Sequence, residues 1–292
     1  MASISLSEAE KTFIIHGIQD DLRSDGRECE TYRLIEVECG LVSNCSGSAR
    51  LKLSNTDILV GIKAEMGTPK TNLPDEGYLE FFVDCSATAS PKFDGRGGED
   101  LASEIATTMA RMYGSTKTLN LKDLCILSGE CCWVLYIDVV VLECGGNLFD
   151  AVSLGIKAAL ADARIPKVTV QMDDEGNQEM DVSEDPDDCY RFQTDMVPLL
   201  VTINKVNQKH IIDATIKEEA CSLACVIMSV MPKTGKITSI VKKGSGSLDP
   251  DSTTDMIQCG KRVADLLHTK LRNILLEIEK SGDNVEKVGF LA

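Results

Sequence analysis

Between positions 133 and 142 every residue is β-branched, aromatic or Leu except Asp138, which predicts a strand covered on both faces. Gly145-Gly146-Asn147 then interrupts the run, and from Leu148 the apolar spacing becomes helical and rich in Ala and Leu. Pro166 marks the expected end of that helix. Upstream, Ser5-x-x-Glu8 and Ser7-x-x-Glu10 both fit a capping box for a first helix whose apolar face would be Phe13, Ile14, Gly17 and Ile18. Strands are predicted over 32–39, 48–53, 58–66 and 78–85, with a loop over 67–77. Leu101, Ile105, Met109 and Met112 recur at helical spacing after Arg96-Gly97-Gly98. Further strands follow at 197–203, 210–212, 221–231 and 237–241. A long helix from about 252 carries the stripe Met256, Cys259, Val263, Leu266, Leu267, Ile274 and Ile278. The second part reads as a shorter echo of the first, strands and then a helix.

The segment from Asp173 to Asp188 breaks this pattern. It holds nine acidic residues and no Lys or Arg, so a solvated loop is expected there. The predicted organisation is a helix and arm at 1–28, a first half at 29–170, an acidic linker at 171–192, a second half at 193–282 and a tail at 283–292.

Composition narrows the classes. The chain of 292 residues is 43% apolar and 26% charged, as a globular protein with a large core would be. Aromatics make up only 4%, so the core must be mostly aliphatic. A net charge of −16 argues against strong binding of nucleic acid by this chain alone, although basic partners could complete such a site. Twelve cysteines without a Cys-x-x-Cys pair, several beside apolar runs, read as reduced small hydrophobes; three scattered His (His16, His210, His268) give no metal set or hydrolase triad. The N-terminus has no basic, apolar leader pattern, and no apolar run reaches the ~20 residues of a membrane helix. A reducing, non-membrane location is expected.

Three stretches could carry chemistry. Gly145-Gly146 ahead of a helix is the frame of an anion site. Yet Asn147, Leu148, Phe149 and Asp150 supply no cation, which favours a tight turn and capped helix. Glu218-Glu219 could join a metal-assisted site, but 220–227 carries no matching acid, so an exposed pair is expected. Lys242-Lys243-Gly244-Ser245-Gly246 resembles a phosphate loop in composition only, and a polar connection fits better.

The order of these pieces resembles the ribonuclease PH family, and within it the ring subunits of the eukaryotic RNA exosome. The resemblance rests on Arg23-Ser-Asp-Gly-Arg27, Gly47-Ser-Ala-Arg-Leu-Lys-Leu53, Asn55-Thr-Asp-Ile-Leu-Val-Gly61, Cys132-Trp-Val-Leu-Tyr-Ile-Asp138, Gly146-Asn-Leu-Phe-Asp-Ala151, Asp213-Ala-Thr-Ile-Lys-Glu-Glu-Ala220, Lys243-Gly-Ser-Gly-Ser-Leu248 and Lys287-Val-Gly-Phe-Leu291. It implies an α/β (α+β) fold of two similar halves, each a mixed sheet packed against helices. Active members of the family attack the 3′ end of RNA with inorganic phosphate, which needs cations to hold the anion and carboxylates to place a metal or proton. Here the family's Gly-Thr/Ser-Arg reads Asn147-Leu148-Phe149, an upstream arginine falls on Leu101, and two acids six residues apart fall on Glu219 and Cys225. The resemblance therefore implies an inert subunit with no catalytic residue, metal or cofactor, and not the alternative of an active phosphate-dependent 3′–5′ exoribonuclease. Arg111, and with it Arg96, would be RNA contacts at a central pore. Expected partners are other ribonuclease PH-like subunits in a six-membered ring, cap subunits, an associated nuclease and RNA threading the pore. The expected locations are nucleus, nucleolus and cytoplasm.

Overall fold

The computed structural model describes residues 6–114, 118–172, 178–183, 185 and 188–281. The first helix, α1 (Glu8–Gln19), opens on Ser7: Ser7 Oγ accepts from the Glu10 N–H at 3.3 Å, and Glu10 Oε2 accepts from the Ser7 N–H at 2.9 Å. Ser5, the other capping candidate, lies outside the described residues. Ile14 and Ile18 are buried in a small satellite core with Val206, Ile211, Ala214 and Cys221. Phe13, placed by its spacing on the same face, is 70% exposed.

Three antiparallel strands follow, β1 (Ile35–Cys39), β2 (Gly47–Leu53) and β3 (Thr56–Gly67). β4 (Tyr78–Cys85) comes next in sequence, ahead of α2 (Glu99–Tyr113), β5 (Cys125–Leu127) and β6 (Cys131–Glu143), and β6 inserts between β3 and β4 in space. The order is β1-β2-β3-β6-β4, with β5 on the end of β6; β6 pairs antiparallel to β3 and parallel to β4. A central strand needs backbone partners on both sides and an apolar face, which explains its unbroken run. Full cover on both faces holds only at its start, from Cys132 to Leu135. Beyond that Ile137, Val139 and Val141 are buried, whereas Tyr136 and Val140 are half-buried and Asp138 and Leu142 exposed. One sheet face therefore meets the core and the other meets the surroundings.

α3 (Leu148–Asp162) is the hub. Every residue from Leu148 to Leu160 is buried, because the helix lies between the first sheet and the second. Gly155 allows that approach: a Cβ there would stand 2.8 Å from Ile58 Cδ1. The helix ends at Asp162, before Pro166, because 164–166 forms strand β7 (Arg164–Pro166) paired with β10 (Cys189–Arg191). Between these, β8 (Val168–Met172) and β9 (Gln178–Val182) make an antiparallel hairpin. Residues expected as an open acidic loop thus form edge ribbons; positions 173–177, 184, 186 and 187 of that stretch lie outside the described residues.

The second sheet has the order β12-β11-β13-β14 and is wholly antiparallel, not mixed: β11 (Leu199–Val206), β12 (Lys209–Ile212), β13 (Ala224–Val230) and β14 (Ile237–Lys243). A short helix, α4 (Ile216–Cys221), ends on the residue where the apolar pattern predicts a strand to begin. Thr215 and Glu218 form its capping box, a local signal that outweighs the apolar run that follows. α5 (Pro250–Ser281) packs its stripe on β11 and β13; of that stripe Leu266 is 62% exposed, and the inward position is taken by Leu267. One continuous hydrophobic cluster draws on both halves, so they form a single bipartite body. The predicted tail at 283–292, with Lys287-Val-Gly-Phe-Leu291, lies outside the described residues.

All twelve cysteines are free thiols. Burial pushes Cys29, Cys39 and Cys259 up to about 12 and Cys85 and Cys225 to about 11, which keeps them protonated and unreactive at neutral pH.

Candidate functional site

The turn between β6 and α3 is pressed against the second half. A Cβ on Gly145 would stand 2.5 Å from the Asn55 carbonyl oxygen, and one on Gly146 (φ +100) would stand 2.6 Å from that of Ala214. Gly145 is therefore required for packing on the β2–β3 turn and Gly146 for packing between the halves, with or without a phosphate. Thr56 Oγ1 donates to the Gly146 carbonyl at 2.7 Å, and the Ile216 N–H donates to the Gly145 carbonyl at 3.1 Å.

Asn147 takes a left-handed conformation (φ 58) and does not cap α3 with its side chain. The expected capped helix is real, but the cap comes from elsewhere. Glu219 Oε1 accepts from the Asn147 N–H at 2.7 Å, so a carboxylate from α4 sits at the start of α3, where an anion would be held. Asn147 Nδ2 donates to Asp213 Oδ1 at 2.8 Å, and Asn147 Oδ1 is buried without a partner.

The expectation that Glu218 and Glu219 form an exposed pair is overturned. Glu218 is 1% exposed and clamps the equally buried Arg23, Nε at 2.8 Å and Nη2 at 2.5 Å. Glu219 is raised above the ordinary carboxylate value by burial, against the pull of the Asn147 N–H and Arg33. The cause of the misreading is α4, which turns both side chains inward. Arg33 completes the cluster, with Nε 2.9 Å from Asp213 Oδ2, Nη2 2.7 Å from Oδ1, and further bonds to the Gly145 and Gly146 carbonyls. Arg27 adds a contact to Asp213 at 3.1 Å. Burial pushes Asp213 up, but the Arg33 guanidinium more than offsets it, and the carboxyl lies below its usual value.

Phe149 is buried, and Lys243 Nζ lies 4.4 Å above its ring centroid. Lys243 also pairs with Glu104 of α2 at 2.7 Å and stands opposite Cys225 in the β13–β14 register. Leu101, one turn before Glu104, is half-buried against the main core, and Leu148 is buried in it. The structure thus gathers Asn147, Phe149, Glu219 and Cys225 around the α3 start, with Lys243 and Glu104 at the rim. The Lys242–Gly246 stretch is the end of β14 and a polar connection; Lys242 Nζ donates to the Gly244 carbonyl at 2.7 Å. Arg96 and Arg111 are exposed and stand at opposite ends of α2, roughly 20 Å apart along its axis. They form no joint site with the α3 start. Among the described residues no group of three or more His, Cys, Asp or Glu could hold a metal ion.

Two further buried sites escaped sequence reasoning. Asp150 accepts from Tyr32 Oη at 2.6 Å and from the Thr202 N–H and Oγ1 at 3.0 and 2.7 Å. Without a cation in contact, burial pushes it up to about 6. Midway along α3, Lys157 Nζ donates to the Val197 carbonyl at 2.9 Å and lies 3.2 Å from His268 Nδ1. His268 Nε2 lies 3.0 Å from the Val230 carbonyl and must be its donor, which leaves Nδ1 to accept from the lysine. Burial lowers Lys157 to about 8 and His268 to about 4. A lysine amid Ala and Leu in α3 was the available signal.

Residues 31–166 match the model of the 3′ exoribonuclease family, domain 1, and residues 197–263 that of domain 2. The RRP42 protein of Dictyostelium discoideum, named as an exosome complex exonuclease, is 33% identical over 92% of this chain and 96% of its own. The exosome complex component Rrp42 of Methanocella arvoryzae is 31% identical over 94% and 100%, and that of Pyrococcus furiosus 31% over 95% and 96%. Among solved structures, a chain of the Archaeoglobus fulgidus exosome with RNA bound to the active site superposes with a TM-score of 0.76, at 24% identity, over 90% of this chain and 98% of that one. A chain of an archaeal exosome core gives 0.73 at 22% identity, over 91% and 97%.

Proposed function

This chain belongs to the 3′ exoribonuclease family of ribonuclease PH type, and from that premise we propose that it is a non-catalytic subunit of an RNA exosome core ring. The observation that carries the inert reading is the occupied start of α3. The N–H of Asn147 is taken by Glu219, and Phe149 stands where the family's phosphate arginine would be, with its face covered by Lys243. Lys243 is itself committed to Glu104. A phosphate arriving there would meet an apolar ring and a carboxylate, and would have to draw Lys243 from Glu104 to offset its desolvation.

In this reading the chain pairs with other ribonuclease PH-like subunits to close a six-membered ring bearing cap subunits, and RNA threads the ring to an associated nuclease. Such a complex would serve rRNA maturation and mRNA turnover in nucleus, nucleolus and cytoplasm. The net charge of −16 fits a subunit whose RNA affinity comes from basic neighbours. Arg96 and Arg111, exposed and free of ion pairs among the described residues, are the positions that would touch the phosphate backbone.

The alternative is an active phosphate-dependent 3′–5′ exoribonuclease. The purified chain, incubated with oligo(A), inorganic phosphate and magnesium, is expected to release no nucleoside diphosphate. Release that is lost on substituting Glu219 would establish the active reading instead.

A further inference from the structure

The outer edge of β4 takes no part in the cluster at the start of α3, and it is open. β4 pairs with β6 on one side, and among the described residues no other backbone group bonds to it. An edge strand leaves a row of N–H and C=O groups free, and Lys, Pro or a bulge usually blunts it. Tyr78–Cys85 contains neither Lys nor Pro, and its register with β6 has no bulge. Beside the edge runs α2, whose Glu99, Ala102, Ser103 and Ala106 share one face at helical spacing. A groove of about 450 Å³ lies between that face and the strand, where Phe82 and Asp84 also line it. The small side chains of the helix leave this space unfilled. Glu80, Phe82 and Asp84 point to one side of β4, away from the core that Leu79, Phe81 and Val83 meet. Phe82 is 52% exposed and stacks on Tyr136 with ring centroids 6.3 Å apart. Neither acid of the strand has a salt bridge among the described residues, and no Lys or Arg lines the groove.

We propose that this groove receives an extended segment of a protein partner as an added strand on β4, with basic residues on either side of an apolar one at alternate positions. The backbone of the segment satisfies the free edge groups, and the alternation of its side chains sets specificity. On one side a basic, an apolar and a second basic residue stand against Glu80, Phe82 and Asp84. On the other, an aliphatic side chain enters the space beside Ala102 and Ala106. The acids select against a second copy of this chain. Antiparallel pairing of two β4 strands centred on Phe82 sets Glu80 against Asp84, like charge on like. A strand with Lys or Arg at those positions turns the repulsion into attraction.

The probe is a synthetic strand, acetyl-TKVYVKT-amide, which carries its lysines and tyrosine on one side and its valines on the other. Added at millimolar concentration to the full ¹⁵N-labelled chain, it is expected to shift the amide signals of β4 and of the first half of α2 saturably. The same peptide N-methylated at two consecutive residues has one blocked N–H toward β4 in either register. It should bind at least about tenfold more weakly, as should acetyl-TEVYVET-amide. Ser103→Trp, at an exposed helix position, fills the groove and should weaken binding likewise. Asp84→Lys should narrow or reverse the preference between the two unmethylated peptides. Circular dichroism checks the fold of both variants. No saturable shift in the folded chain, equal binding of the methylated peptide, or a preference that Asp84→Lys leaves unchanged overturns the proposal. So does a concentration-dependent dimer that Ser103→Trp abolishes, because a second copy would then fill the groove.

Discussion

Two buried polar clusters lie on the same helix and on the same seam between the halves, yet they are built oppositely. At the start of α3, Arg33 faces Asp213 and the turn carbonyls, Arg23 faces Glu218, and Glu219 faces a backbone N–H. Midway along α3, Lys157 meets only a carbonyl and a neutral imidazole. Burial acts on both. In the first it is offset by opposite charge at Asp213, which stays ionised; in the second it is not, and Lys157 and His268 fall well below their ordinary values. Paired charges fix a backbone arrangement, whereas a lone buried amine couples the seam to pH.

The largest expected effect comes from breaking a pair. Arg33→Met strands Asp213 in the interior and should lower unfolding free energy by about 3–5 kcal/mol in urea titrations. A loss below about 1 kcal/mol would mean that Arg27 alone can serve Asp213, and the contrast between the clusters would dissolve. Next come the pH dependences. His268 has a folded value of about 4 against an ordinary 6.5, so the unfolded chain takes up its proton first and stability is lost as pH falls from 6.5 to 4. Asp150 works in reverse: its folded value of about 6 lies above the ordinary 3.8, so the folded chain takes up its proton first and stability is gained over nearly the same window. Each contribution is at most about 3 kcal/mol. Asp150→Asn should therefore steepen the acid loss, and His268→Gln should flatten it. Parallel curves for wild type and both variants would show that neither group's pKa differs between the folded and the unfolded chain.

A subtler test concerns Lys157. Its folded value of about 8 lies below the ordinary 10.5, so the cost of charging it is greatest below pH 8 and disappears toward 10.5. The stability of wild type relative to Lys157→Met should rise by no more than about 3 kcal/mol between pH 8 and 10. Referring each value to the variant cancels the opposing titration of buried thiols. The smallest effect is expected at the occupied anion seat. Phe149→Arg alone should produce no phosphate binding detectable by calorimetry, because Glu219 still holds the Asn147 N–H. Millimolar binding by that variant would show that the missing arginine was the sole defect.

Much of the architecture was legible from residue pattern. The strand, double glycine and helix around 131–162, the four strands of each half, and a serine cap on the first helix all follow from periodicity and local chemistry. The misreadings share a cause. Glu218 and Glu219 looked like a solvated pair because their partners, Arg23 and the N–H of Asn147, are remote in sequence. The same holds for β7 to β10, where a charged stretch gains order from pairing with segments beyond it.

By itself the sequence determined most strands and helices outside α4 and β7 to β10, and that the core is aliphatic; the resemblance to the ribonuclease PH family adds that Leu101 and Phe149 stand where an arginine is expected. These follow from local periodicity, composition and identity at single positions, which need no knowledge of distant residues. Only the tertiary structure decided what occupies the start of α3, which carboxylates are ionised, and why two glycines stand before it. Each of those depends on atoms brought within about 3 Å across tens of residues of chain, where burial and a partner's charge, and not the residue type, set the outcome.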